Sequence, residues 1–241
     1  MNVDRVAELQ RWEESGAVWS LVSRTKHRVT IALLRCDGGE EVDRFTSDDP
    51  RLLEYVGQRF GSTDAVQLGK LVFVPVVEAL ELVGEPVRQY IERCGGDGLW
   101  VSEIDPDLAD TQAFCEHYDA GLDISANCVV AEAKRADRVW HVACMVLATT
   151  RADINGIVRK HVDARKISFA SMDTAVSLTG MEYGGITPIG LPDGWPILVD
   201  ENVADQQQLI IGSGIRGSKL LASGDALVGL PGAEVLALTK A

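Results

Sequence analysis

At 241 residues, with 46% hydrophobic and 24% charged residues, the chain has an ordinary globular composition and room for one large domain or a small and a medium one. Its net charge of −13 excludes broad, nonspecific nucleic-acid binding, which relies on a positive field, but leaves room for local contact with one end of an RNA. No apolar run reaches the length of a membrane span and Met1-Asn2-Val3-Asp4-Arg5 lacks a signal peptide's apolar core, so a cytoplasmic location is expected.

Residues 1–57 read as a small separate α+β unit. Val6, Leu9 and Trp12 fall at helical spacing, and Gly16 breaks the pattern. Residues 18–23 and 28–35 read as two strands around the polar turn Arg24-Thr25-Lys26-His27. Asp37-Gly38-Gly39 marks a tight turn. Asp48-Asp49-Pro50 starts a helix, with an Asp cap and Pro in the first turn, and Leu52, Leu53 and Val56 continue it. The unit is short for an independent core, so it is expected to dock on the remainder or on a partner. Trp12 and Trp19 read either as an exposed docking surface or as the unit's core. Residues 58–70 are polar, Gly-containing and weakly periodic, and read as a linker.

From Leu71 the pattern changes. Residues 76–94 read as an amphipathic helix with a break at Gly84-Glu85-Pro86, and residues 99–104 as a strand closed by Asp105-Pro106. Asp110 or Thr111 caps a helix through Phe114 and His117. Residues 128–133 and 139–147 are Val-rich strands, joined as an antiparallel hairpin by the charged turn Lys134-Arg135-Ala136-Asp137-Arg138. A helix over 153–162 and a short strand over 166–169 follow. Ser171 then caps a helix whose Ala175, Val176 and Leu178 pack inward. Residues 181–192, M-E-Y-G-G-I-T-P-I-G-L-P, hold three glycines and two prolines. Glycine opens backbone conformations and proline freezes them, so this is a shaped loop: a tight connector, or a loop whose N–H groups turn toward a ligand. Strands near 197–199 and 209–211, the cluster Gly212-Ser213-Gly214-Ile215-Arg216-Gly217 and short elements to Leu238 complete the chain.

These elements make an α+β fold: a curved, mixed or antiparallel sheet surrounded by short helices, without a regular βαβ repeat. Gly212, Gly214 and Gly217 formally match a dinucleotide fingerprint, but the βαβ unit and a suitably placed acidic residue are missing. The five cysteines, Cys36, Cys94, Cys115, Cys128 and Cys144, form no C-x-x-C pair and read as reduced thiols. Cys115 and His117 offer two metal ligands with nothing nearby to complete a set, so no metal is expected.

The ordered set Leu178-Thr179-Gly180, Gly184-Gly185-Ile186-Thr187-Pro188-Ile189-Gly190, Val199-Asp200 and the glycine cluster at 212–217 resembles the YbaK/EbsC family. That family is similar to the editing domain inserted in bacterial prolyl-tRNA synthetases. The resemblance covers residues 71–241 and leaves 1–57 as an accessory unit without assignment. It implies a YbaK-like editing domain and a trans-acting aminoacyl-tRNA deacylase, which hydrolyses the ester between a wrong amino acid and the tRNA's 3′-terminal adenosine. The partners it implies are the tRNA 3′ acceptor end with its amino acid and, further, an aminoacyl-tRNA synthetase; no cofactor and no membrane are implied. The family's G-x-x-x-P loop matches Gly184 to Pro188. Gly184, Gly185, Ile186, Thr187 and Pro188, with Gly212, Ser213, Gly214 and Arg216, are accordingly the expected substrate-binding residues. Such a site suits the chemistry: an aminoacyl ester is already activated, so a positioned water and donors for the oxyanion suffice. Selectivity would come from a pocket that acts as a second sieve.

The chain departs from the family at one point. Relatives usually carry a catalytic lysine at the start of the hairpin's first strand. The matching segment, Ser125-Ala126-Asn127-Cys128-Val129-Val130, has none, and Cys128 aligns there to within one residue. Lys134 falls at the hairpin turn. Lys219 stands where relatives often have an acidic residue lining the pocket, and reads either as the positive charge supplied from the opposite wall or as a surface lysine on a strand. Cys128 reads as a pocket thiol, reactive if a positive group lowers its pKa, or as a small buried apolar residue. Asn127 reads as a donor to a carbonyl or to water, or as a cap at the strand entry. Lys219, Asn127 and Cys128 are thus the catalytic candidates. Arg159, Lys160, His161, Arg165 and Lys166 form the most basic stretch, either facing acceptor-end phosphates or solvated at a helix end. The alternatives to the deacylase are a non-catalytic binder of an aminoacyl or nucleotide-like ligand that has lost the lysine, and a protein-interaction module using residues 1–57.

Overall fold

The computed structural model describes residues 4–25, 27–35, 40–57, 59–62 and 65–239. The expected turn at Asp37-Gly38-Gly39 lies outside the described residues, as do Lys26 and Cys36. The chain divides into two compact units, Met1–Val66 and Gln67–Ala241.

In the first unit, α1 (Arg5–Glu14) precedes β1 (Val18–Thr25), β2 (Arg28–Leu34), β3 (Glu41–Ser47) and α2 (Pro50–Val56). The strands form an antiparallel sheet in the order β1-β2-β3. Asp4 starts α1 by accepting from the N–H groups of Val6 and Ala7, and Asp49 starts α2 by accepting from Arg51, with Pro50 in the first turn. Leu9, Trp19, Ile31, Leu52 and Val56 are fully buried. Trp19 donates to Glu13 Oε1 at 2.7 Å, and Trp12 donates to the carbonyls of Val18 and Leu34 at 3.0 and 3.1 Å. Trp19 is therefore part of the unit's core, whereas half-buried Trp12 is tied by its N–H to β1 and β2. The unit runs past residue 57: the Leu21 N–H donates to the Phe60 carbonyl at 2.7 Å, and the Ser62 N–H to Trp19 at 3.0 Å. Part of the stretch expected as a linker is therefore ordered backbone beside β1.

The second unit holds β4 (Val66–Leu68), β5 (Leu71–Pro75), α3 (Glu85–Cys94), β6 (Trp100–Glu103), α4 (Thr111–Tyr118), β7 (Ala126–Arg135), β8 (Arg138–Leu147), α5 (Arg159–His161), β9 (Lys166–Phe169), α6 (Met172–Thr179), β10 (Ile197–Asp200), α7 (Glu201–Ala204), β11 (Leu209–Gly212), β12 (Ser218–Ala222), α8 (Gly224–Val228) and β13 (Ala233–Leu236). Two five-stranded sheets have the orders β13-β10-β8-β7-β9 and β11-β12-β6-β5-β4. β10 runs parallel to β8 and β13, whereas β7–β8, β7–β9, β11–β12, β12–β6 and β5–β6 are antiparallel. Ser125, one residue before β7, bridges Ile210 on β11 and brings the two sheets together in a curled, mixed α+β fold.

The hairpin strand β8 shows why its last six residues, 142–147, are continuously apolar. Successive side chains alternate between faces, and both faces are covered. Ala143, Met145 and Leu147 enter a core with Val87, Ile189 and Leu220; Val142, Cys144 and Val146 enter another with Ala131, Val158 and Leu198. Asp200 is fully buried at the end of β10. Its carboxylate accepts from Asn202 N at 3.1 Å, Asn202 Nδ2 at 2.8 Å and Leu238 N at 2.8 Å, which caps α7 and ties down the C-terminal segment.

Three elements differ from expectation. Residues 76–94 form two 3₁₀ turns, Val76–Glu78 and Leu80–Leu82, and only then α3, because Pro86 suits a first helical turn and not an interior. Residues 153–162 open as a π-helical turn, Ile154–Val158, in which the Asp153 carboxylate accepts from Gly156 N at 3.0 Å. In α6 Ser171 is the cap and Ala175 is buried, but Leu178 faces outward at 40% exposure and Thr179 is buried instead.

Candidate active site

A cavity of about 850 Å³ opens within the second unit. Its walls come from the start of β7 (Asn127, Cys128, Val130), the end of β11 (Ile211, Gly212), β12 (Lys219), α4 (Thr111, Phe114), the Gly/Pro loop (Tyr183, Gly184, Ile186) and the start of α6 (Met172, Ala175). Apolar and polar groups share the lining, and the charged and polar side chains on it include Asp110, Asn127, Arg151 and Lys219.

Lys219 is the chief of these. β12 lies between β11 and β6, so Lys219 is backbone-paired on both sides, opposite Gly212 and Ser102. Alternation sends Leu220 and Ala222 into the core and turns Lys219 to the other face, against α4. The residue is 7% exposed. Nζ donates to the carbonyls of Ala109 at 2.9 Å and Gly184 at 3.3 Å, and sits 5.4 Å from the Phe114 ring centre. Burial pulls its pKa down from 10.5 to about 8, and the Arg216 guanidinium pulls in the same direction, while Asp110 and Cys115 oppose them. An ammonium has three N–H donors. Two are spent on these carbonyls, and the residue is part of the cavity lining.

The Gly/Pro loop and the glycine cluster lie backbone on backbone. Gly214 N donates to Gly185 O at 2.7 Å, Glu182 N to Gly214 O at 2.9 Å, and Gly84 N to Ser213 O at 2.9 Å. A Cβ on Gly185 would stand 2.3 Å from Ile215 O, and one on Gly212 would stand 2.3 Å from Gly185 O. Gly184 has φ +88°, and a Cβ there would meet Arg216 Nη1 at 2.8 Å. Arg216 clamps the loop from outside: its N–H donates to Glu182 Oε2 at 2.7 Å, Nε to Pro106 O at 3.1 Å and Nη1 to Tyr183 O at 3.2 Å. Ser213 Oγ is turned onto the Ser218 carbonyl at 2.9 Å, and Thr187 is fully buried.

Of the residues expected to bind substrate, Gly184, Ile186 and Gly212 therefore line the cavity. Gly185, Thr187, Pro188, Ser213, Gly214 and Arg216 do not line it. The contacts of Gly185, Ser213, Gly214 and Arg216 hold the loop in shape. All three catalytic candidates, Lys219, Asn127 and Cys128, are on the lining. Asn127 Oδ1 accepts from Thr111 Oγ1 at 2.9 Å, which leaves the two amide N–H groups for a guest. Cys128 is half-buried, and desolvation first, then Cys144, push its thiol well above the ordinary range. It stays a neutral thiol and forms apolar wall; no cation lowers it into a reactive state. Lys134 is exposed and bonds Glu132 at 2.6 Å at the far end of β7.

Several lining groups carried no signal that marked them in advance: the Ala109 carbonyl, Phe114, Thr111, Met172 and the exposed Tyr183. Residues 110 apart in sequence meet at Lys219 and Ala109, and no local pattern encodes such a contact. Among the described residues, no three or more His, Cys, Asp or Glu side chains gather as a metal-binding group. No helix among them is long and apolar enough to cross a membrane.

Comparison with curated proteins finds no match. Among solved structures, a candidate trans-editing enzyme for prolyl tRNA synthetase is similar at 20% identity and a TM-score of 0.56, over 65% of this chain and 96% of that one. A hypothetical protein is similar at 18% identity and a TM-score of 0.57, over 65% and 100%. A scaffold used in computational epitope backbone grafting is similar at 20% identity and a TM-score of 0.57, over 66% and 97%. At these identities the likeness is one of fold. The family model for the aminoacyl-tRNA editing domain matches residues 105–230, just over half of the chain, a span that holds α4, the hairpin, the Gly/Pro loop and Lys219. The chain belongs to the aminoacyl-tRNA editing domain family.

Proposed function

We propose that the second unit is a trans-acting deacylase that hydrolyses the ester of a misacylated tRNA, with the first unit, Met1–Val66, as an accessory unit. The observation that carries this reading is Lys219: a buried amine on the cavity lining, bonded to the carbonyls of Ala109 and of Gly184 in the Gly/Pro loop. A cavity of about 850 Å³ has room for a terminal adenosine together with an amino acid.

In this reading water attacks the ester carbonyl carbon and its electron pair moves onto the carbonyl oxygen. Lys219, mostly an ammonium at pH 7 with its pKa near 8, donates its third N–H to that developing oxyanion. Asn127 Nδ2 holds the guest from the opposite wall. Collapse of the tetrahedral intermediate breaks the bond to the ribose oxygen. That oxygen gains the proton lost by water, and a free amino acid and an intact tRNA end leave. The cation thus acts from β12, across the cavity from the strand where relatives keep their lysine.

The test is single-enzyme deacylation of a full panel of misacylated tRNAs. Hydrolysis well above background for at least one is expected, and none across the panel sinks the reading. The binder alternative draws on Cys128, a neutral thiol on β7 where a lysine is usual. It predicts that a non-hydrolysable aminoacyl-adenosine analogue binds while every ester survives.

A further inference from the structure

β7 runs from the cavity to a second feature. Its pairing with β8 shows no register shift, so Cys128, Val130, Glu132 and Lys134 share one face. Cys128 and Val130 line the cavity. Six residues on, about 20 Å away at about 3.3 Å per residue, Lys134 opens a surface depression of about 500 Å³. Lys134, Arg159, Arg165 and Lys166 line it, with Glu132 and Asn155 beside them. β9 places Lys166 directly opposite Lys134, and Arg165 N donates to Lys134 O at 2.9 Å.

Like charges placed opposite each other across a sheet are destabilising. Glu132 offsets Lys134 at 2.6 Å, and Arg159 Nε bonds the neutral Asn155 carbonyl at 2.7 Å. Arg165 and Lys166 are exposed, and no carboxylate among the described residues pairs with either. In a chain of net charge −13, this local excess of positive charge runs against the composition. A bound polyanion would relieve it.

We infer that this groove binds the phosphate backbone of an RNA stem whose 3′ end lies in the cavity. The identity of that RNA as tRNA rests on the deacylase reading; the groove itself does not. Stacked nucleotides place a phosphate about every 3.4 Å along a strand, so about 20 Å spans roughly six of them. A tRNA ends in a short single-stranded 3′ tail, so at this distance the groove falls on the acceptor stem rather than on the tail. Backbone contacts of this kind position the substrate without reading its sequence.

The test is binding of uncharged tRNA, of an acceptor-stem hairpin and of a single-stranded 3′ fragment to the full chain, across a salt series. The variant is Arg165→Ala with Lys166→Ala, both outside the cavity. For tRNA and the hairpin, Kd is expected to rise on the order of tenfold at 0.1 M salt, and the slope of log K against log salt to flatten by about 2. The 3′ fragment should bind both proteins alike. Unchanged Kd and slope overturn the inference, as does an equal loss for the single-stranded fragment, or a wild-type chain that binds no stem. Because the RNA is uncharged, a chain that binds it through these residues yet hydrolyses no ester refutes the deacylase and leaves the groove standing.

Discussion

Replacing Lys219 by methionine separates the stability cost of the buried amine from its chemistry. Methionine keeps the length and apolar stem of the side chain and removes only the titrating group. In the folded chain the pKa of Lys219 lies near 8, and the unperturbed value is 10.5. Burial is the main cause and Arg216 the second. The folded state therefore prefers the neutral amine. Between pH 8 and 10.5 the unfolded chain holds a proton that the folded chain has released, so stability rises with pH across that window. The penalty is present in full below pH 8 and is relieved as pH approaches 10.5. In full it amounts to about 3 kcal/mol at about 1.4 kcal/mol per pH unit, and about 2 kcal/mol of it is recovered between pH 7 and 9.5. Equilibrium urea unfolding of wild type and Lys219→Met at both pH values measures it. Other groups titrate alike in the two proteins and cancel in the difference. Wild type is expected to gain about 2 kcal/mol on the variant between pH 7 and 9.5. A difference that stays constant within about 0.5 kcal/mol, or moves the other way, refutes the buried-cation geometry.

Cys128→Ala should retain deacylation within about threefold, because a neutral thiol serves only as wall; a loss as large as that of a Lys219 variant would bring the sulfur into the chemistry. Gly185→Ala should lower stability by about 3 kcal/mol or more in denaturant titrations, since its Cβ would lie 2.3 Å from Ile215 O. An unaffected Gly185→Ala protein would contradict the backbone-on-backbone packing of loop and glycine cluster. Asp200→Ala removes the cap of α7 and leaves the buried Leu238 N–H without its acceptor. A loss of about 2–3 kcal/mol in unfolding free energy is expected, and a loss below about 0.5 kcal/mol would show that the carboxylate is dispensable.

The hairpin was legible because β8 is a long Val-rich run and its turn is charged. The Gly/Pro loop was legible because its residues restrict a backbone in ways that sequence displays directly. What the glycines do was less legible. Gly185 and Gly212 look alike as ligand-binding residues in sequence and both are needed because two main chains touch there, yet of the two Gly212 also lines the cavity; a packing requirement and a binding requirement leave the same letter. Lys219 shows the same limit. Alternation along β12 sets it opposite Leu220, but whether that face meets solvent or a cavity depends on α4, more than 100 residues earlier. Residues 76–94 misled for a local reason: Val76, Ala79, Val83, Val87 and Ile91 keep a near-helical spacing and all are buried, yet the first three sit in or beside 3₁₀ turns. Periodicity reports which side faces the core and does not distinguish one helical turn from another.

Single-turnover deacylation of a misacylated tRNA, with enzyme in excess, reads the chemical step alone. If Lys219 holds the oxyanion, Lys219→Met should slow that step about 10²–10³-fold, and the wild-type rate above background should decline as pH rises through about 8. A Lys219→Met protein that hydrolyses the ester at the wild-type rate would contradict the assignment of the cation to β12.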